Sequence, residues 1–337
     1  MKDLILSLIC AVITSVSYSQ DYHSSNMQYL TLLHNPALAA LKNEVEASVS
    51  YRTQWQKNNA PFKTVGASVS SSLQPKRRPG KSYLAMGVNF YEEQVGRQSS
   101  NLSLMLSTTY HLKMSKLSTL SVGISIGYYR TQLSEEGTWE KQHNGQFFDP
   151  SLPSGELFIN SQRGSFDSGT GLVYSLKSKK QQVNLFQFGT AFSHLNKIKN
   201  SSLTNGKSRL PIRSTVFSSF AIPIGKKGSY IEAKAIFQNQ NKFNYLTIGA
   251  ITKIKLLEKA KSTSSISKLN EIYAGIGLYI RNRDALIFNA LIQKSNWTIS
   301  LAYDVTTSNL KRANNSFGAL EIQLRFTVPT FKMKSHF

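Results

Sequence analysis

The last strongly patterned stretch, Gly318 to Val328, limits what this chain can fold into more than any other feature. Leu320, Ile322, Leu324, Phe326 and Val328 fall on one face of an extended chain, and Glu321, Gln323, Arg325 and Thr327 fall on the other. A strand of this kind in water needs a core over its apolar face. The same alternation recurs along most of the chain, with almost no helical pattern to supply that cover. Lipid is the natural cover. Extended chain crosses a bilayer only when every backbone group is paired, so the strands must close into a ring in which the last zips against the first. Gly318–Val328 is therefore read as the closing strand.

The strands that precede it begin at Glu44, where Val45, Ala47, Val49 and Tyr51 alternate with Glu46, Ser48, Ser50 and Arg52. Phe62 to Leu73 returns. The clearest alternation follows in Leu84, Met86, Val88 and Phe90, then in Leu102, Leu104 and Leu106, then in Val122, Ile124, Ile126 and Tyr128. Between these sit mostly Gly, Ser, Thr and Asn, as a polar lumen requires. Strands resume at Phe166–Leu176, Val183–His194, Ser214–Ile224, Tyr230–Gln238, Tyr245–Thr252, Ile272–Ile280, Ala285–Gln293 and Trp297–Asp304. The expected fold is all-β: a transmembrane antiparallel β-barrel of about 14 strands over residues 44–328, ending in a tail at 329–337. Tyr128, Tyr129, Trp139, Tyr174, Tyr230, Trp297 and Tyr303 fall near strand ends and are assigned to interfacial girdles.

Residues 1–19 read as a signal peptide. Met1-Lys2-Asp3 precedes an apolar core too short to span a bilayer, and small residues stand at Ser17 and Ser19. The one cysteine, Cys10, lies inside it, so the exported chain carries no disulfide and no thiol chemistry. Residues 20–43 lack a period of two and contain Pro36. They are expected to form an irregular periplasmic or plug segment at the barrel mouth.

Removing residues 1–19 takes one base, Lys2, from 40 and one acid, Asp3, from 18, so the net charge stays at +22. If the amino terminus is periplasmic, strand parity places 19 bases and a single acid, Glu258, in the periplasmic turns and tail. Lys76, Arg77, Arg78, Lys81, Lys179, Lys180, Lys226 and Lys227 are the candidate docking residues of that rim. A single-sign rim steers association with an acidic partner, and it also suits anionic membrane lipids. Nucleic acid is not an expected partner of an exported chain. On the other side, Ser134 to Ser165 is about 30 residues long, a length usual for functional loops. Trp139, Phe147, Phe148 and Asp149 within it are candidate partner contacts.

No catalytic chemistry is expected. The six histidines, His23, His34, His111, His143, His194 and His336, have no metal-ligand spacing. Gly123-Ile124-Ser125-Ile126-Gly127 matches a nucleophile elbow in letters only. It lies inside an alternating strand, where the required strand-to-helix turn is absent. No cofactor motif is present.

Several stretches together resemble the PorP/SprF family of Bacteroidota outer-membrane proteins associated with type IX secretion. They are Leu33-His34-Asn35-Pro36-Ala37, Tyr51-Arg52-Thr53-Gln54-Trp55, Phe148-Asp149-Pro150, Phe192-Ser193-His194-Leu195-Asn196, Arg209-Leu210-Pro211, Tyr303-Asp304-Val305 and Glu321-Ile322-Gln323-Leu324-Arg325-Phe326. Leu38-Ala39-Ala40 departs from the family pattern. The resemblance implies a non-enzymatic outer-membrane component of the secretion and gliding machinery. It would assist export or surface anchoring of secreted adhesins and meet periplasmic ring or lipoprotein components. A porin-like or hydrophobic-solute transporter barrel is the alternative, and a soluble exported β protein is a third reading.

Overall fold

Fourteen strands form in the computed structural model, which describes residues 21–27, 32–42, 44–56, 61–73, 82–96, 99–133, 140–143, 145–149, 151–153, 155, 162–178, 184–198, 209–225, 228–256, 271–309 and 311–329. They are β1 (Glu44–Gln54), β2 (Phe62–Ser72), β3 (Tyr83–Val95), β4 (Ser99–Lys113), β5 (Ser118–Leu133), β6 (Gln162–Lys177) and β7 (Asn184–Ser193). The second half holds β8 (Arg213–Pro223), β9 (Tyr230–Gln240), β10 (Phe243–Lys255), β11 (Ile272–Arg281), β12 (Ala285–Lys294), β13 (Trp297–Thr306) and β14 (Phe317–Pro329). Each strand pairs antiparallel with its sequence neighbours, and β14 pairs with β1 to close the ring. No backbone edge is left open, which is the condition an extended chain must meet in hydrocarbon.

The register of the closing seam shows how the alternation is used. Val49 faces Leu324 and Tyr51 faces Ile322, while Arg52 faces Glu321. Cross-strand partners share a face, so the apolar pairs point out together and the charged pair points in. The pattern holds around the ring. Ile276 is 78% exposed and Ile292 63%, whereas Arg281 and Glu321 are 2% and 1% exposed. Water would penalise this inversion on both faces, and a bilayer favours the outer one.

Strands of 10 to 16 residues suffice for tilted crossings. β6 starts at Gln162, four residues ahead of the pattern-based start at Phe166, because β5 continues to Leu133 and offers its backbone, pairing Gln132 with Gln162. Gln162-Arg163-Gly164-Ser165 carries no apolar alternation, so this extension was not legible in the residues alone. The expected girdle residue Tyr129 is also corrected. It is 2% exposed inside the lumen, while Tyr128 is 44% exposed outside. Neighbours in a strand point to opposite faces, so only one of the two tyrosines can meet lipid.

The near end of the barrel is where β1 starts and β14 stops. The far end carries the connections 134–161 and 194–212.

Candidate functional site: the filled lumen

The inward face of the barrel is covered by a segment of the same chain. Residues 21–27 and 32–42 lie inside the ring, and most of them are buried. At the far end, the Asp21 backbone N–H donates to Gln240 Oε1 at 3.0 Å. At the near end, Tyr83 Oη donates to the Ala40 and Leu41 carbonyls at 3.0 and 2.9 Å. The segment therefore passes from one end of the lumen to the other.

Its turn is Asn35-Pro36-Ala37. Asn35 caps a short 3₁₀ turn, Pro36–Leu38, by accepting from the Ala37 N–H at 2.8 Å, and Pro36 supplies the fixed φ that such a start favours. The Asn35 side-chain amide donates to the Thr190 carbonyl at 2.9 Å, and Thr109 Oγ1 donates to the Pro36 carbonyl at 2.7 Å. The turn sits on a row of small cross-strand partners: Thr109 opposite Gly123, Gly123 opposite Gly171, and Gly171 opposite Ala191. A Cβ on Gly123 would lie 2.5 Å from Ala37 N, and one on Gly171 would lie 2.0 Å from Asn35 Oδ1. The first glycine of the elbow-like string is thus a seat for the turn, in the middle of β5.

Two charge clusters hold the earlier part of the segment. In the first, Ser24 Oγ and the Ser25 N–H donate to the two oxygens of Glu321 at 2.6 and 2.7 Å, and Ser25 Oγ donates to Asp304 Oδ2 at 2.6 Å. The same Asp304 oxygen meets Arg281 Nη2 at 2.5 Å and Arg52 Nη2 at 3.4 Å. Arg52 Nε is 3.7 Å from Glu321, and Arg281 Nε is 3.1 Å from Asp284. Two guanidinium groups and three carboxylates from β1, β11, β13, β14 and the turn after β11 thus converge on two serines.

The second cluster surrounds His194, which follows β7 directly. Its Nε2 lies 2.7 Å from Asp21 Oδ2 and its Nδ1 lies 2.9 Å from Asp167 Oδ2. Arg213 Nη1 is 3.4 Å from the same Asp21 oxygen, and the Tyr129 ring meets the imidazole edge-on at 5.8 Å. An imidazole between two carboxylates donates at both nitrogens only when it is charged. Burial acts to lower the His194 pKa, but Asp21 and Asp167 override it and hold the pKa at about 9. Burial likewise acts to raise the Asp21 pKa, and His194 and Arg213 override that to bring it down to about 2.

These shifts set a pH window with opposite signs at its two edges. The raised pKa of His194 stabilises the His194 cluster fully below about 6.5, and that contribution is lost as pH rises through about 9. The depressed pKa of Asp21 stabilises it above about 3.8 and is lost as pH falls through about 2. Amide exchange of residues 21–27, corrected for intrinsic rates, is therefore expected to be slowest between about pH 4 and 6.5 and to quicken towards pH 9. In His194→Gln the alkaline rise should disappear, and its persistence would assign it to other groups.

Lys76, Arg77, Arg78, Lys81, Lys179, Lys180, Lys226, Lys227 and Trp139 lie outside the described residues. Phe147 and Phe148 are exposed, and Asp149 accepts from the Ser151 N–H and hydroxyl at 2.9 and 2.6 Å, which holds its carboxyl below the usual range. Near-end bases within the described residues are partly engaged: Lys253 bonds Gln293, and Lys255 pairs with Glu271. Sequence reasoning missed the lumenal set of Arg52, His194, Asp304 and Glu321 as a site, although each stands in a stretch that carried the family resemblance. The available signal was a charged residue on the inward face of a strand otherwise lined by Ser, Thr and Gly.

Among the described residues, no group of three or more His, Cys, Asp or Glu could hold a metal ion. A search of curated proteins found none that matches this chain. Among solved structures, the chain is similar to the toluene transporter TbuX of Ralstonia pickettii (11% identity, TM-score 0.46, covering 88% of this chain and 91% of that one). It is also similar to BamA of Haemophilus ducreyi lacking POTRA domains 1–3 (11%, 0.41, 84% and 70%) and to the β domain of the Bordetella autotransporter BrkA (11%, 0.40, 84% and 98%). The family described as type IX secretion system membrane protein PorP/SprF matches residues 16–326. Nearly the whole chain is matched and its barrel turns an apolar face outward, so the protein belongs to the PorP/SprF family and is an outer-membrane β-barrel of the type IX secretion system.

Proposed function

We propose that this barrel works as a closed scaffold of the type IX machinery, helping to export secreted adhesins or to anchor them at the surface while docking to periplasmic components. The observation that carries this reading is the occupied lumen. Among the described residues, a segment bonded to strands around the ring occupies the lumen that a porin keeps for water, which favours binding at the two rims. The near end would face the periplasm, because the first strand starts there and the last strand stops there, as in single-chain barrels with short inner turns. Its connections hold Lys76, Arg77, Arg78, Lys81, Lys179, Lys180, Lys226 and Lys227, a charge of one sign suited to an acidic partner such as a ring or lipoprotein component. On the far side, the exposed Phe147 and Phe148, with Trp139 and Asp149 in the same connection, offer contacts for a large surface protein.

Purified protein in planar bilayers should be silent, and stable open-channel current would favour the transporter reading instead. In cells, reversing Lys76, Arg77, Arg78, Lys226 and Lys227 to Glu should abolish co-purification of periplasmic components. Deleting 134–165 should release the surface protein but keep those components. Unchanged co-purification in both variants would remove the proposal.

A further inference from the structure

The lumenal segment is held as a guest is held. A three-residue 3₁₀ turn is its only regular structure among the described residues, so its backbone groups find few partners within the segment itself. The barrel wall reads them with side chains. Glu321 accepts from the Ser25 N–H at 2.7 Å, and Lys234 Nζ donates to the Met27 carbonyl at 3.0 Å. Arg213 Nη2 donates to the Leu33 carbonyl at 3.0 Å, and His111 Nε2, facing a carbonyl, donates to that of Ala39 at 2.7 Å. Wall side chains directed at main-chain groups are how extended peptides are bound in clefts, with a few side-chain positions adding selectivity. Here selectivity comes from Ser24 and Ser25 against Glu321 and Asp304, and from Asp21 against His194 and Arg213.

We propose that the lumen is a polypeptide-binding channel and that residues 21–42 are its exchangeable ligand, held in cis. The same wall would take, in trans, a separate segment with an acidic residue ahead of Ser-Ser-Asn. This rests on the reading of the barrel as plugged, and is independent of which partners meet the rims. A buried guest that follows no strand pairing can leave without opening the ring, because all strand-to-strand bonds remain in place.

The test keeps the full chain. A site for a specific protease is inserted between Lys42 and Glu44, the barrel is folded in detergent and cut, and an excess of fluorescent peptide with the sequence of residues 21–42 is added. The cut segment should co-elute with the barrel and then be replaced by labelled peptide in a saturable manner. A peptide carrying Ser24→Ala and Ser25→Ala should bind about tenfold more weakly or worse, since it forfeits hydrogen bonds to two buried carboxylates. Because only the peptide is altered, barrel folding cannot explain that difference. The proposal is overturned if the cut segment departs and labelled peptide does not bind, if the segment never exchanges, or if the altered peptide binds equally well. Failure of the plugged reading itself is seen separately, as current through the uncut barrel.

Discussion

Asp304→Ala should lower the unfolding free energy of the barrel by about 3–5 kcal/mol, the range for removing one partner of a buried charge pair. Asp304 is 3% exposed, and a single one of its oxygens meets Arg281, Arg52 and Ser25. Without it Arg281 keeps Asp284 and Arg52 keeps Glu321 at 3.7 Å as carboxylate partners, with neutral hydrogen bonds to Ser25 and Gln54 besides, so two cations remain in the lumen with one nearby anion lost. Denaturant unfolding in micelles, followed by far-ultraviolet circular dichroism, reads the change. The double variant Asp304→Ala with Arg281→Met should lie closer to the unaltered protein than Asp304→Ala alone, because it leaves fewer charges without a partner. A loss below about 1 kcal/mol for the single variant would mean that the cluster is bathed in water and holds nothing in place.

Gly123→Ala and Gly171→Ala, singly or together, should turn a silent barrel into a conducting one. These two glycines are cross-strand partners beneath the Asn35-Pro36-Ala37 turn. At Gly123 the new methyl would meet the backbone of Pro36 and Ala37 at 2.5 to 2.7 Å, and backbone cannot rotate aside as a side-chain tip can. Expelling the turn also breaks the bonds from Thr109 and to Thr190, while the strand ladder on either side is untouched. Stepwise current in planar bilayers is the expected result. Ile124→Ala, at the neighbouring lipid-facing position, should stay silent. Silence in the glycine variants with unchanged exchange of the segment would show that the wall yields and the turn is not seated as described.

The outer face of this barrel was legible because hydrocarbon imposes one rule on every strand. Leu320, Ile322 and Leu324 announce β14 without any knowledge of its neighbours, and the requirement for closure then assigns β14 to β1. The lumen obeys no such local rule. Arg52, Asp304 and Glu321 read simply as polar residues on an inward face, since period two gives the face but not which residues meet across the ring. His194 stands just past its strand, where alternation has stopped. The segment at 21–42 has no period at all, and its course depends on small residues such as Gly123 and Gly171 that lie on strands far along the chain. The ladder of β5 and β6 beyond Tyr128 was hidden for a related reason, as Gln162-Arg163-Gly164-Ser165 has no apolar alternation to mark it.

Residues early in the chain are gripped by residues that follow them at a long distance in sequence. Ser24 and Ser25 bond to Glu321 and Asp304 across separations of 297 and 279 positions, and the β1–β14 seam joins the two ends of the same span. Contacts so distant along the chain form late and slowly. A polypeptide cut short before Asp304 lacks both the carboxylates and the strand that completes the ring, and so offers nothing to seat its own beginning. Its residues 21–27 are therefore expected to be cut faster by added protease than the same residues of the full chain.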